Sequence, residues 1–279
     1  MRKWVWAWLV GFGVLAGAMP VGAIVPYVPE LRSEQLEAQG VELAREVGIL
    51  SEVQVIEPKR AIANARLATQ LAPNRFEPWV ILAQLYLRQD DVKMASSALQ
   101  EAHKLAPDNP VILFTLGSLA FRQENYPQAM RYLQAGLAIK PDHVEGLFNL
   151  GNTFLKMNQY SQAIAYYQKA IAIDKKFWPA INNIGLVQFE MGDREGARRN
   201  WQASVAIDPK AAEPILALAV LHYIQGQKQK AIQMAEQAFT IDRRYAKVPF
   251  LIENLWGPRL IAATKPLLAE PRLKRFMGE

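Results

Sequence analysis

Residues 107–141 read PDNPVILFTLGSLAFRQENYPQAMRYLQAGLAIKP, and residues 141–175 read PDHVEGLFNLGNTFLKMNQYSQAIAYYQKAIAIDK. The two stretches share one pattern of large, small and polar residues. A proline, or a basic residue in its place, returns every 34 residues, at Pro73, Pro107, Pro141, Lys175, Pro209 and Arg243. A fixed period of about 20 to 50 residues is typical of stacked units that are each too small to bury their own apolar face. The sequence therefore predicts a repeat array over most of the chain.

Two positions in each 34-residue unit carry a small side chain. The first is Ala83, Gly117, Gly151, Gly185 or Ala219, and the second is Ala95, Ala129, Ala163, Ala197 or Ala231. Small residues allow two helices to lie close together while large neighbours fill the remaining space. Between units, proline disfavours helix in the residue before it, and Asp or Asn caps the helix that follows. Each unit is thus predicted to be two antiparallel helices joined by a short turn.

This spacing resembles the pattern of the tetratricopeptide repeat (TPR) family. The unit after Pro73 carries it as Trp79, Leu82, Ala83, Tyr86, Ala95, Leu99, Ala102 and Pro107. The resemblance implies an all-α fold, a right-handed superhelical solenoid of antiparallel helix pairs. On that basis we expect a degenerate TPR at 30–73, with an insertion near Val47–Glu57, then five tandem TPRs at 74–243 and C-terminal capping helices at 244–279.

The N-terminus is apolar. Arg2 and Lys3 precede a run without charge from Trp4 to Val28. Residues 1–28 are predicted to be either a cleaved signal peptide or a retained membrane anchor, since about 20 apolar residues suffice to cross a bilayer. Basic residues before the run favour an N-terminus in the cytoplasm. We therefore expect the repeats in a periplasm or thylakoid lumen, with the cytoplasmic face of the thylakoid membrane as the alternative.

A leader followed by five TPR copies and no other domain resembles the membrane-associated TPR proteins of cyanobacteria and chloroplasts, among them those that interact with protochlorophyllide oxidoreductase. This resemblance implies an assembly or tethering factor at a membrane. An exported bacterial adaptor for lipid or envelope assembly would have the same layout, and the sequence leaves that alternative open.

The residues that catalysis or metal binding requires are sparse. The chain has no cysteine, and its three histidines, His103, His143 and His222, lie far apart in sequence. No histidine pair stands four residues apart beside a carboxylate, as a metal hydrolase helix needs, and no phosphate-binding loop is present. We expect a non-enzymatic protein without a metal or cofactor.

The first helix of each copy lines the concave groove in the TPR family, and the resemblance places nine candidate residues there. They are Phe114, Phe121, Phe148, Asn152, Asn182, Asn183, Phe189, Leu216 and Tyr223. We expect this groove to bind an apolar helix or extended segment of another protein.

The candidate residues divide by expected role. Phe114, Phe148 and Leu216 are predicted to form an exposed apolar row, a feature that usually marks a partner site. The alternative for Phe121, Phe189 and Tyr223 is packing on the neighbouring copy. The three asparagines are predicted to hydrogen-bond the partner's backbone.

Charge suggests a second function. The net charge is +6, and from Arg243 onward eight Lys or Arg residues face three acids. Few basic residues stand at groove positions, so nucleic acid is not expected as a partner. A basic tail can instead lie on an anionic bilayer. The alternative function is a structural membrane-tethering component that uses the leader and the tail, with no groove ligand.

Overall fold

The computed structural model describes residues 32–277, and this part of the chain consists of helices and the turns between them, without a strand. The α-helices, in chain order, are α1 (Ser33–Glu52), α2 (Pro58–Leu71), α3 (Phe76–Arg88), α4 (Val92–Leu105), α5 (Pro110–Arg122), α6 (Tyr126–Ile139), α7 (Val144–Lys156), α8 (Tyr160–Ile173), α9 (Trp178–Met191), α10 (Arg194–Ile207), α11 (Ala212–Ile224), α12 (Lys228–Ile241), α13 (Val248–Glu253), α14 (Pro258–Leu268) and α15 (Lys274–Met277). Two short 3₁₀ segments, Arg243–Ala246 and Pro271–Leu273, lie near the C-terminus.

The predicted all-α array of paired helices is confirmed. Each 34-residue copy forms one pair, from α3 with α4 through α11 with α12, and the two helices of a pair pack against each other. Turns of two or three residues join them. Successive pairs then stack, because the second helix of each copy contacts the first helix of the next.

Glycine stands where the two helices of a pair approach most closely. A Cβ built on Gly151 would lie 2.5 Å from Cε1 of Tyr167, and one on Gly185 would lie 2.5 Å from Nε1 of Trp201. Both rings are fully buried. A small residue on the first helix therefore makes room for a large ring from the second, as the spacing predicts.

The turn inside each pair holds one residue in the left-handed region, at the same place in all five copies. These residues are Asp90, Glu124, Asn158, Gly192 and Gly226, with φ between 58° and 93°. A left-handed residue commonly ends a helix, at a cost when it is not glycine. The chain then turns sharply enough for the second helix to run back along the first.

Polar side chains start the helices that follow. Asp91, Asn125 and Asp193 each accept a backbone N–H from the first turn of the second helix in their copy. Asn109 accepts the N–H of Val111 ahead of α5, as the Asn-Pro sequence predicts. These bonds satisfy amide groups that a helix start leaves free.

Hydrogen bonds between side chains join neighbouring copies. The Asn149 amide donates to Oγ of Ser118 over 3.3 Å, and the Asn183 amide donates to Oδ1 of Asn152 over 2.9 Å. Each pair is separated by 31 residues and occupies the same two places in successive copies. These bonds fix the register of copies two, three and four.

The N-terminal pair differs from the others. Helix α1 has 20 residues, against 13 or 14 in the other first helices, and the predicted insertion at Val47–Glu57 falls on its C-terminal end and the turn into α2. Gly40 of α1 packs against Ala68 of α2 and against Ala72, which directly follows α2. Residues 1–28, the predicted signal peptide or anchor, lie outside the described residues. Within residues 32–277, no helix combines the length and the apolar character that crossing a membrane requires.

The chain after α12 turns back onto the array. Besides contacting α12, it crosses α11 and reaches α9, with α14 packed against both. The sequence predicts capping helices here. In the structure, residues 243–273, which we call the return segment, cover the sides of α9 and α11 that the family resemblance assigns to the groove.

Candidate protein-binding groove

The candidate groove is the surface of the five first helices, α3, α5, α7, α9 and α11, that carries the nine predicted residues. We call it the groove face. It differs along the array, because side chains on α5 and α7 remain partly accessible, whereas most of those on α9 and α11 are buried under the return segment.

The predicted exposed row is wrong at two of its three members. Phe114 is 8% exposed, because Gly136 and Gly146 leave room for its ring to sink between two copies, where it stacks on His143 at 4.1 Å between centroids. Leu216 is 0% exposed and belongs to the buried cluster that includes residues of the return segment. Phe148 is half-buried, with its ring beside Phe177. It is the member of the row that stays accessible.

The other three apolar candidates have separate surroundings. Phe121 is half-buried and meets the ring of Tyr126 in its own copy. Phe189 is buried, with Trp201 nearby. The Tyr223 hydroxyl donates to Oε1 of Glu270, at the end of the return segment, over 2.6 Å. Phe121 is thus available to a partner, while Phe189 and Tyr223 engage the protein itself.

The three candidate asparagines bond one another. Oδ1 of Asn152 accepts from both the Tyr167 hydroxyl and the Asn183 amide. The Asn182 amide in turn donates to Oδ1 of Asn183. Asn182 is fully buried, and its Oδ1 has no hydrogen-bond partner in the described chain. Two of these amides therefore serve the packing of α7 on α9, and their binding to a partner's backbone stays a prediction.

Two glutamates of the groove face hold the return segment. The Glu190 carboxylate accepts the backbone N–H groups of Arg259 and Leu260, at 3.1 and 2.9 Å, and so caps α14. Oε1 of Glu213 accepts the indole N–H of Trp256 at 2.9 Å. A carboxylate at a helix N-terminus is favoured by the helix dipole as well as by the hydrogen bonds.

The return segment contributes side chains to the buried core. Leu251, Leu260, Leu267 and Leu273 are each 0% exposed. Burial of one such side chain contributes about 1.5–3 kcal/mol, so lifting the whole segment off α11 would cost more than a single peptide ligand commonly returns. Most of the groove face over α9 and α11 is therefore closed to partners.

Glu213 sits in an unusual environment for a carboxyl group. It is 8% exposed, and burial raises its pKa to about 7, although hydrogen bonds from Trp256 and Asn182 act in the opposite direction. Within residues 32–277 it forms no ion pair. A buried carboxylate without a cation is costly, since desolvation is not repaid by an opposite charge.

Sequence reasoning missed the closing of the groove and the parts that Glu190, Glu213 and Trp256 play in it. One signal was available. Residues 214–221, PILALAVL, are apolar on every side of α11, and a helix that is hydrophobic all round is one that other elements surround. All of these residues are buried.

A hollow of about 300 Å³ remains on the groove face, where α5, α7 and α9 meet the return segment. Its lining residues include four aromatic ones, Phe121, Phe148, Trp178 and Tyr245, and two acidic ones, Glu213 and Glu253. Asn152 and Asn183 also contribute to its wall. Four of the nine candidate residues thus converge here: Phe121, Phe148, Asn152 and Asn183.

The described part of the chain has no candidate metal site. Across residues 32–277, no three His, Cys, Asp or Glu side chains are grouped so that they could hold a metal ion.

Family comparisons match the repeats directly. Three tetratricopeptide repeat models match residues 95–150, 144–177 and 182–246. The chain carries tetratricopeptide repeats. A fourth model, of the ChAPs (Chs5p-Arf1p-binding proteins), matches residues 43–104 and is itself TPR-like. TPR domains are typically non-enzymatic protein-interaction modules. A comparison with curated proteins found no match.

Solved structures share the TPR fold. The PilF protein of Pseudomonas aeruginosa aligns with 75% of this chain and 93% of its own, at 17% identity and a TM-score of 0.61. One chain of the APC/C hetero-tetramer Cut9-Hcn1 aligns over 46% of its length with 85% of this chain, at 17% identity and a TM-score of 0.63. YrrB, a TPR protein described as having an unusual peptide-binding site, aligns with 63% and 92%, at 19% identity and a TM-score of 0.52.

Proposed function

We propose that this protein is a non-enzymatic scaffold that holds an apolar segment of another protein on the open part of its groove face. One observation carries the proposal. The return segment fills the groove face over α9 and α11 yet leaves Phe121, Phe148 and the hollow beside them accessible. Partly exposed aromatic rings around a concavity are typical of protein-binding surfaces.

The proposal includes a membrane. If residues 1–28 anchor or export the chain as predicted, the scaffold acts as an assembly or tethering factor at a membrane surface, with its repeats in a periplasm or thylakoid lumen. Stepwise permeabilisation tests this placement, because an added protease should digest periplasmic repeats once the outer membrane is opened, while cytoplasmic proteins stay protected. Repeats that resist digestion until the inner membrane is also opened would lie on the cytoplasmic side.

The alternative, a membrane tether that uses a basic tail, is less well supported. Half of the eight basic residues after α12 are engaged within the protein. Arg243 donates to the carbonyl groups of Phe276 and Arg275, Arg244 pairs with Asp242, and Arg272 and Arg275 both bind Glu236. These contacts hold the tail on the fold and reduce the charge that it can present to a bilayer.

Site-specific photo-crosslinking tests the scaffold. A photoreactive phenylalanine analogue at position 121 or 148 of the full chain is expected to crosslink one discrete protein in the native cells. Positions 139 and 173 are matched controls, since Ile139 and Ile173 are 48% exposed apolar residues on second helices. Equal crosslinking from all four positions, or none from 121 and 148, would contradict the proposal.

A further inference from the structure

The hollow on the groove face has the chemistry of a cation site. Resting on the scaffold function above, we propose that it binds the side chain of one lysine or arginine in the partner segment. The bound polypeptide would then be apolar along Phe121 and Phe148 and place one basic residue beside Glu213.

The walls of the hollow suit a cation. Its four aromatic rings come from separate elements, at the end of α5, in α7, at the start of α9 and in the first 3₁₀ segment. An ammonium or guanidinium group is attracted to the face of an aromatic ring, and the attraction strengthens when water is excluded. Phe148 is in addition held in place by edge contact with Phe177 at 5.3 Å.

The charged residues that line the hollow are all acidic. Its two charged lining residues, Glu213 and Glu253, are both acidic, and neither forms an ion pair in the chain from residue 32 to residue 277. An incoming cation would compensate the charge of the buried Glu213, whereas an apolar or acidic side chain would leave that carboxylate without an opposite charge.

The pH dependence of binding should show whether the ligand is a cation. Tyr167 on α8 and Tyr245 in the 3₁₀ segment interact electrostatically with Glu213, and Glu253 on α13 lines the same hollow, but none of the three supplies a cation to it. A basic ligand favours the ionised carboxylate. Its affinity should therefore rise between pH 6 and pH 8, across the Glu213 pKa of about 7.

The probe is N-acetyl-arginine amide, compared with the neutral isostere N-acetyl-citrulline amide. Both are titrated into the full chain, purified in detergent, while the indole N–H resonances are followed by NMR. Trp178 lines the hollow and Trp256 bonds Glu213, whereas Trp79 in the first copy serves as the internal reference. We expect the arginine derivative to shift the signals of Trp178 and Trp256 with millimolar affinity, and to bind at least about 10-fold more tightly than citrulline.

Two variants sharpen the test. Glu213→Gln keeps an acceptor for the Trp256 indole but removes the charge, so arginine binding should weaken about 10-fold, corresponding to about 1.4 kcal/mol, and lose its pH dependence. Glu145→Gln removes an exposed acid of α7 that does not line the hollow and should leave binding unchanged.

Equal binding of citrulline, no shift at Trp178 and Trp256, or full binding by Glu213→Gln would each overturn the inference. The scaffold function can fail separately. Crosslinking from positions 121 and 148 that persists while arginine does not bind would keep the scaffold and discard the cation site. Arginine binding without any crosslinked protein would discard the scaffold instead.

Discussion

At the residue scale, Glu213 links the groove face to pH. Its carboxyl group has a pKa of about 7 in the folded protein, against an ordinary value of 4.5, because burial disfavours its charge. Between pH 4.5 and about pH 7, the Glu213 carboxyl group is protonated in the folded state and ionised in the unfolded state. The contribution of Glu213 to stability is therefore most favourable below pH 4.5, falls as the pH rises to 7 and is level above that.

Glu213→Gln should remove this dependence. Relative to the variant, the wild-type protein is expected to lose on the order of 3 kcal/mol of unfolding free energy between pH 4.5 and pH 8, from the difference of the two pKa values. Urea denaturation of both proteins across this range measures it. Glu145→Gln, at an exposed position, serves as the control with a flat difference. Parallel curves for wild type and Glu213→Gln would show that burial does not raise this pKa.

Gly151 tests the closeness of a helix pair. Gly151→Ala puts a Cβ against the buried ring of Tyr167, which has no space to move, and should cost about 1–3 kcal/mol of stability. The same change at Gly48 meets the flexible end of Ile81 and gains helix propensity, so it should be neutral or stabilising. Chemical denaturation compares them, and equal effects at the two sites would count against the packing argument.

At the element scale, the turns within the copies carry a strain that substitution can relieve. Glu124 has a φ of 58°, at the place where the fourth and fifth copies have glycine. Glu124→Gly should stabilise the protein by about 1 kcal/mol, since glycine adopts this conformation without a steric penalty. Gln123→Gly is the matched control, because Gln123 has a φ of −82° and its replacement adds only backbone entropy to the unfolded chain. Thermal melts that rank the two variants in the opposite order would refute this reading of the turn.

At the scale of the whole molecule, the return segment closes one end of the array. A chain that ends at Asp242 would expose Leu216 and Val220, which are both fully buried in the complete protein. We expect this truncation to lower the melting temperature and to self-associate, because a large apolar face meets water. Light scattering and thermal denaturation measure the two effects.

A shorter truncation, ending at Lys274, provides the control. It keeps Leu273, the last fully buried leucine of the segment, and should remain monomeric if the complete chain is monomeric. A soluble, equally stable chain ending at Asp242 would mean that the segment is a removable cover and that the groove extends over α9 and α11.

Prediction from sequence succeeded where a signal recurs. The small residue of the first helix was found because glycine or alanine returns every 34 residues, as at Gly117, Gly151 and Gly185. Exposure at the groove was harder to predict. Phe114 and Phe148 occupy the same place in successive copies. The Phe114 ring sinks between Gly136 and Gly146, whereas no glycine stands at the corresponding places beside Phe148. Such differences come from neighbours outside the repeated pattern.

The sequence by itself determined the helix pairs and their order, because each pair depends on contacts between residues close in the chain that recur at a fixed interval. Tertiary structure alone decided how much of the groove face is open. The hydrogen bonds from Trp256 to Glu213 and from Leu260 to Glu190 join residues 43 and 70 positions apart, and no repeated spacing in the sequence predicts them. They form because α11 is apolar on all sides and must be covered, and the nearest chain that can cover it is the protein's own C-terminus.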